Sequence, residues 1–305
     1  MSEFASQPRR LFGRPLRKLG IALVVALAAG CSNAAKAPDA KTTAAPDTIL
    51  PAPAESLLTQ DAASQSIRRG LALLTATKDS LPAHVGNDLH CTNCHLNLGR
   101  KPFANPLVGV SNRYPAYWAR TGATVSLEER INDCFRRSLN GQPLAADGAE
   151  MRDIVAYLTW LSRDMPKGAH AGLGVGSIAP LPSDTTRGRT TFAMYCSRCH
   201  AADGQGGKNL GVAHPGPPLW GPHSFTVGSG MSRVRIVAAF VHHHMPFDAA
   251  GFVADSMAYD VAGFVTSRPR PDFPGKELDW PKGDAPPDLA YKINAQAKAS
   301  PTPKP

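Results

Sequence analysis

An all-α fold in two tandem halves is what this sequence predicts, and three observations predict it. The pentapeptides CTNCH (Cys91, Cys94, His95) and CSRCH (Cys196, Cys199, His200) recur about a hundred residues apart. Each precedes an apolar pattern of helical period: Met151, Ile154, Val155, Leu158 and Leu161 in one half, and Met257, Val261, Phe264 and Val265 in the other. No stretch longer than a few residues alternates apolar with polar, so no convincing strand competes. A length of 305 residues accommodates two domains of ordinary size.

In chain order, residues 1–30 read as an export signal. They hold a basic region (Arg9, Arg10, Arg14, Arg17, Lys18) and an apolar run, Ile21 to Ala29, too short to span a membrane as a mature helix. Small residues directly before Cys31 resemble a bacterial lipobox, which would make Cys31 the lipidated first residue of the mature chain. In the competing reading, an ordinary cleaved signal, Cys31 is incidental. Either reading places the protein in the periplasm, and only the lipobox reading links it to a membrane, through a lipid anchor at Cys31. Residues 31–55, rich in Ala, Pro, Thr and Asp without apolar period, form a flexible tether.

The globular parts are 56–165 and 184–273, joined by a Gly/Ala/Pro-rich linker at 166–183 and followed by a Pro/Lys-rich tail, 274–305, expected to wander over the surface. Each part repeats one plan: a first helix, the Cys-x-x-Cys-His motif, a Pro/Gly-rich wrap, a middle helix and a closing helix.

Two thiols one helical turn apart meet the two vinyl groups of a porphyrin, and the adjacent His reaches the iron. The pair of motifs therefore implies two covalently bound haem c groups, attached at Cys91 and Cys94 and at Cys196 and Cys199, with His95 and His200 on the metals. Zinc binding or dithiol cycling is the rival reading; against it, both copies end in His and neither pairs with a further Cys-x-x-Cys. Of the six cysteines, Cys134 alone is left without a task. An unpaired thiol in an oxidising compartment is a liability, and a haem iron is the nearest group to occupy it.

Cys134 sits in Ser126-Leu-Glu-Glu129-Arg-Ile-Asn-Asp-Cys134-Phe-Arg-Arg-Ser138-Leu-Asn-Gly141, which opens on a capping-box pattern and has its expected stop at Gly141. Arg130, Cys134, Arg137 and Ser138 fall on one helical face beside an apolar stripe of Leu127, Ile131 and Phe135. Guanidinium neighbours favour thiolate, the form that binds ferric iron; the competing reading is a core helix with a buried free Cys. In the second half, Met-Pro at the end of a middle helix offers Met245 to the second iron, with His244 as its alternate. Met231 and Met257 are rival thioethers placed by the sequence in helices as core, while His242 and His243 read as a solvated helix end.

The formal charge is +9, and the signal carries five basic and one acidic residue, which leaves the mature chain at about +5. A modestly basic surface suits anionic substrates or acidic redox partners. Nucleic acid is excluded, because no Lys/Arg run interleaved with aromatics follows the signal.

Both halves resemble class I cytochrome c domains: Gly188-x-x-x-Phe192 before CSRCH matches the usual contact of first helix with last, and Pro217-Pro218-Leu219 the loop behind the proximal His. The string from Arg130 to Gly141 resembles the distal-cysteine motif of diheme thiosulfate dehydrogenases and, less closely, that of the haem-bearing cytochrome subunit of the Sox complex. That resemblance implies a catalytic first haem ligated by His95 and Cys134. It also implies an anion pocket of Arg120, Arg130 and Ser138, and a second haem with an adjacent pair of possible ligands. Where that family often has Lys before Met, this chain has His244 before Met245. The implied reaction joins two thiosulfate ions into tetrathionate, reversibly in related enzymes, and passes two electrons to a soluble carrier such as a small cytochrome c. Two other readings compete: a tethered diheme electron carrier without catalysis, which leaves the Arg/Cys/Ser face unexplained, and a gas or redox sensor, which lacks a signalling domain.

Overall fold

The computed structural model describes residues 50–166, 174–208 and 210–294, all within one compact unit. The leader, Cys31 and most of the tether lie outside the described residues, as do part of the linker and the end of the tail. The chain is mostly helical, with α1 (Ala62–Thr75), α2 (Leu127–Arg137), α3 (Ala149–Leu161), α4 (Thr185–Thr191), α5 (Val234–His244) and α6 (Asp255–Thr266). No described helix is long and apolar enough to cross a membrane.

Two helix crossings, built alike, found the two halves. In the first, α1 crosses α3 at Gly70, where an added Cβ would lie 2.0 Å from the Asp153 carbonyl oxygen. The neighbouring Arg69 clamps the Asp153 carboxylate with two hydrogen bonds of 2.7 and 2.9 Å. In the second, α4 crosses α6 at Gly188, whose Cβ would lie 2.0 Å from the Asp260 carbonyl, and Arg187 clamps Asp260 at 2.7 and 3.0 Å. Only glycine lets the backbones approach so closely. Aspartate caps open both first helices: Asp61 accepts from Ser64 N–H, and Asp184 from Thr186 and Arg187 N–H.

Around the first crossing, Leu74, Phe135, Met151, Tyr157 and Leu161 form one core. Phe192, Trp220, Val237, Tyr259 and Phe264 form the other, with Phe192, Trp220 and Phe264 in mutual aromatic contact. The halves meet through buried polar contacts. Asn87, fully buried, donates to the carbonyls of Ser138 and Ser224 at 2.8 and 3.2 Å, and Thr226 donates twice to the Arg137 carbonyl.

Three expectations change. First, a short hairpin, β1 (Ala116–Trp118) paired antiparallel with β2 (Ala123–Val125), interrupts the helical plan; three residues per strand are too few for alternation to show in sequence. Second, α2 stops at Arg137, before Gly141, because Asn140 takes a left-handed φ of 49° and Gly141 is pressed onto the His84 carbonyl, where a Cβ would lie 1.9 Å away. Third, the tail does not wander through its described part. Asp279 and Trp280 are each 5% exposed, Asp279 is paired with Arg137, and Arg233 is paired with Asp288 at 2.7 Å.

Gly70→Ala and Gly188→Ala should each cost about 1–3 kcal/mol through overpacking at a backbone contact that cannot yield. Thermal unfolding should show a lowered midpoint for both; an unchanged midpoint in either would remove that crossing from the account.

Candidate functional site

Two partly open cavities, of about 440 and 410 Å³, are lined by most of the residues that the sequence singled out. Cys91, Cys94 and His95 line the first, and Cys196, Cys199 and His200 the second. Leu89, Cys94 and Met231 line both, so the cavities share a wall.

The chemistry of the donor set fits haem c. Each motif contributes one imidazole to a largely apolar cavity. The ring is oriented from behind, with His95 Nδ1 2.5 Å from the Asn105 carbonyl and His200 Nδ1 2.8 Å from that of Pro217. A ring that donates Nδ1–H to a carbonyl leaves Nε2 as the metal-binding lone pair. Burial pushes His95 down to about 4 and lowers His200 as well, so both rings are neutral, as metal ligation requires. Gly216 lets the backbone reach His200: a Cβ there would meet the ring at 2.5 Å. None of the five described cysteines is paired, and burial raises Cys91 to about 11, Cys94 to about 12 and Cys196 to about 11. Among the described residues no three His, Cys, Asp or Glu side chains converge as a zinc site would need.

Cys134, Arg120, Arg130 and Ser138 all line the first cavity. Helix α2 brings three of them there. Ser126 and Glu129 cap it reciprocally, at 3.2 and 2.6 Å, and Ser138 closes it as C-cap. One turn of helix then places Arg130 Nη1 2.9 Å from Cys134 Sγ. The Arg130 guanidinium also lies over the Trp118 ring at 4.7 Å and 3.6 Å from Asp133. Burial lowers the basicity of Arg130, but the Cys134 sulfur and Asp133 more than offset this, so it is raised overall and stays charged. Arg120 comes from the β1–β2 turn, with Nη1 donating to the Gly228 carbonyl. Ser138 Oγ lies 3.1 Å from Ser229 Oγ, so the second half contributes to the first cavity.

Arg137, which the helical face placed beside Cys134, is committed elsewhere. It donates to Asp133 at 2.6 Å and to both Asp279 oxygens at 2.7 Å, and it stacks over Phe273. Arg137 still lines the cavity, but of the two arginines only Arg130 hydrogen-bonds the sulfur. Tyr114, Trp118, Ser229 and Met231 also line this cavity and were missed. Trp118 stands two residues before Arg120, the only local cue; Ser229 and Met231 arrive from the other half, which no local pattern reveals.

In the second cavity, Met245 lines the wall at the end of α5, whereas His244 is buried outside the lining with both ring nitrogens unpartnered. Met231 lies in a 3-10 turn, not within an α-helical core, and reaches both cavities. Met257 packs on the second core as expected. The solvated helix end is also corrected. His243 is half-buried and stacked on Phe103 at 4.5 Å, and His242 lies 3.0 Å from both the Val253 carbonyl and Asp255. Packing against residues 103 and 176 of the other segments covers this helix end, and sequence neighbours do not disclose it.

The SoxA/TsdA cytochrome c domain signature matches residues 83–167. The chain is 40% identical over 239 residues to the thiosulfate dehydrogenase of Psychrobacter arcticus, covering 78% of this chain and 73% of that protein. It is 42% identical over 210 residues to that of Allochromatium vinosum, covering 67% and 78%. Among solved structures, it resembles the as-isolated thiosulfate dehydrogenase TsdBA of Marichromatium purpuratum, with TM-score 0.65 and 32% identity, covering 73% of this chain and 50% of that one. The chain thus spans half of that solved chain.

Asn87→Ala should destabilise by about 1–3 kcal/mol, because it orphans two buried carbonyls at the junction behind Ser138. A melting midpoint equal to that of the unmodified protein would contradict this.

Proposed function

The chain belongs to the thiosulfate dehydrogenase family, and from that premise we propose that it oxidises two thiosulfate ions to tetrathionate and delivers two electrons to an external carrier. The observation that carries the proposal is the set of Arg130, Cys134, Arg120 and Ser138 on the same cavity that Cys91, Cys94 and His95 line. The architecture proposed is two class I cytochrome c domains in tandem with one haem c each. Cys91 and Cys94 would hold the first by thioether bonds, with His95 and Cys134 as its ligands; Cys196 and Cys199 would hold the second, with His200 and Met245 as its ligands. When bound, each haem supplies a one-electron redox site, so the pair matches the two electrons released per tetrathionate.

What the protein residues must supply is charge. Two dianions about 6 Å apart repel by roughly 11 kcal/mol at an effective dielectric near 20. Arg130 and Arg120 present fixed cations against that repulsion, and Ser138 and Ser229 offer hydroxyls to sulfonate oxygens. Cys134 serves as the sulfur partner. Its thiolate joins the outer sulfur of one thiosulfate with loss of two electrons. The second thiosulfate then attacks that outer sulfur, forms the central bond of tetrathionate and returns Cys134 as thiolate. Arg130, in contact with Cys134 Sγ, holds the sulfur between these two events.

The acceptor is proposed to be a soluble redox protein that meets the second half. Exposed Met194, Phe247 and Phe252 near the second cavity support this; Phe247 also lines it. A periplasmic site of action follows from the proposed export signal, and a lipid at Cys31 would tether it. A non-catalytic carrier would have no use for buried arginines around Cys134.

Cys134→Ala should lose at least about 99% of thiosulfate-dependent reduction of an artificial acceptor while intact-mass analysis still finds two haems per chain. Full turnover in this variant would exclude Cys134 from the chemistry. One haem by mass in the unmodified protein would exclude the two-haem assignment.

A further inference from the structure

Arg120 stands in the turn of a hairpin with only three residues per strand, too small to fix a long cationic side chain by itself. Besides the Gly228 carbonyl, the residues that fix it come from the far end of the chain. Trp280 N–H donates to the Arg120 carbonyl at 2.8 Å, and the Trp280 ring lies 4.7 Å from the guanidinium carbon of the same residue. Pro281 packs on the turn at Gly122, where a Cβ would lie 2.6 Å from its ring, and Lys282 sits over the Tyr117 ring at 4.5 Å. The tail thus grips the backbone of the hairpin and the head of its arginine together.

Charge in this region is balanced by the same segment. Asp279, 5% exposed, takes two of the three Arg137 side-chain hydrogen bonds, accepts from the Tyr291 hydroxyl at 2.5 Å, and lies 4.0 Å from Arg120 Nη1. Arg120 and Arg137 are close enough for mutual repulsion: burial first, and Arg137 second, lower the basicity of Arg120. Asp279 faces both guanidinium groups. Its two hydrogen bonds from Arg137 match that residue's charge, whereas Arg120, on the same cavity wall, stands 4.0 Å from Asp279 without a hydrogen bond to it.

We propose that the C-terminal segment from Gly275 to Tyr291 is a strap that positions Arg120 for anion binding, with Trp280 and Asp279 as its positioning residues. This rests on the reading of the first cavity as the thiosulfate site. None of these residues is assigned to touch substrate; they act through Arg120. The indole face restricts the guanidinium rotamer, and the Arg120 N–H groups not taken by the Gly228 carbonyl are left for an oxyanion.

The test uses the haem-loaded full chain. It measures thiosulfate KM and kcat together with competitive inhibition by sulfate, a dianion that does not react. Trp280→Leu should raise KM and the sulfate inhibition constant in parallel, about tenfold, with kcat within about threefold, the signature of lost uniform binding. Trp280→Phe should restore both to within about threefold of the unmodified protein. Tyr291→Phe, which removes one hydroxyl and little packing, should raise both about threefold and serves if Trp280→Leu does not fold. Arg120→Gln is the reference. If it raises KM and the inhibition constant while Trp280→Leu and Tyr291→Phe leave them unchanged, the strap is overturned and the anion site stands. If Arg120→Gln itself changes neither constant, the anion-site reading fails. A loss of kcat and melting temperature in Trp280→Leu with unchanged sulfate inhibition would make the strap purely structural and overturn the proposal.

Discussion

The contact between the Arg130 guanidinium and the Cys134 sulfur, 2.9 Å long and one helical turn in span, is the interaction on which the site depends. It requires α2 to be a regular helix at this point, and the Ser126–Glu129 capping box secures the entry. It requires Arg130 to stay inside, where the Trp118 face and Asp133 hold it. It also requires the end of the helix to be fixed, and there Asn87 from the first half and Thr226 from the second bind the carbonyls of Ser138 and Arg137. A half-buried guanidinium with a soft sulfur as neighbour has little structural purpose, since an apolar pair would fill the space at lower desolvation cost.

Around that contact the scaffold is a duplication with one deliberate asymmetry. Both halves use an Arg-Gly pair on the first helix and an Asp on the last, and both aim a neutral imidazole backed by a carbonyl into a cavity. The distal sides then diverge. One cavity receives α2 with its polar face and an arginine on a hairpin; the other receives Met245 from the end of α5. The proposed function places the chemistry of the charged substrate on the first cavity and electron exit on the second. Leu89, Cys94 and Met231 form the shared wall between them.

Local signals in the sequence disclosed the local features. The motifs, the closing helices, the α2 capping box and the Met-Pro site all depend on residues within a few turns of one another, and all stand where their spacing puts them. What stayed hidden depends on distant partners. Arg137 carries the same helical phase as Arg130 but meets Asp279, 142 residues away, and so turns from the sulfur. Ser229 enters the first cavity from the second half. The tail has the composition of a surface segment, rich in Pro and Lys, and its packing rests on a few residues, chiefly Asp279 and Trp280, that no periodicity marks. The histidine run looked solvated for the same reason: the aromatic ring that covers His243 belongs to residue 103.

The central claim is that the Cys134 sulfur on α2 and the His95 imidazole, which line the same cavity, would together ligate the first haem. Electron paramagnetic resonance of the oxidised, haem-loaded protein tests it most directly. The account predicts a low-spin ferric signal with the narrow g-spread of thiolate ligation, lost when Cys134 is replaced by alanine. A spectrum containing only histidine–methionine or water-ligated species, unaltered by that replacement, would contradict it.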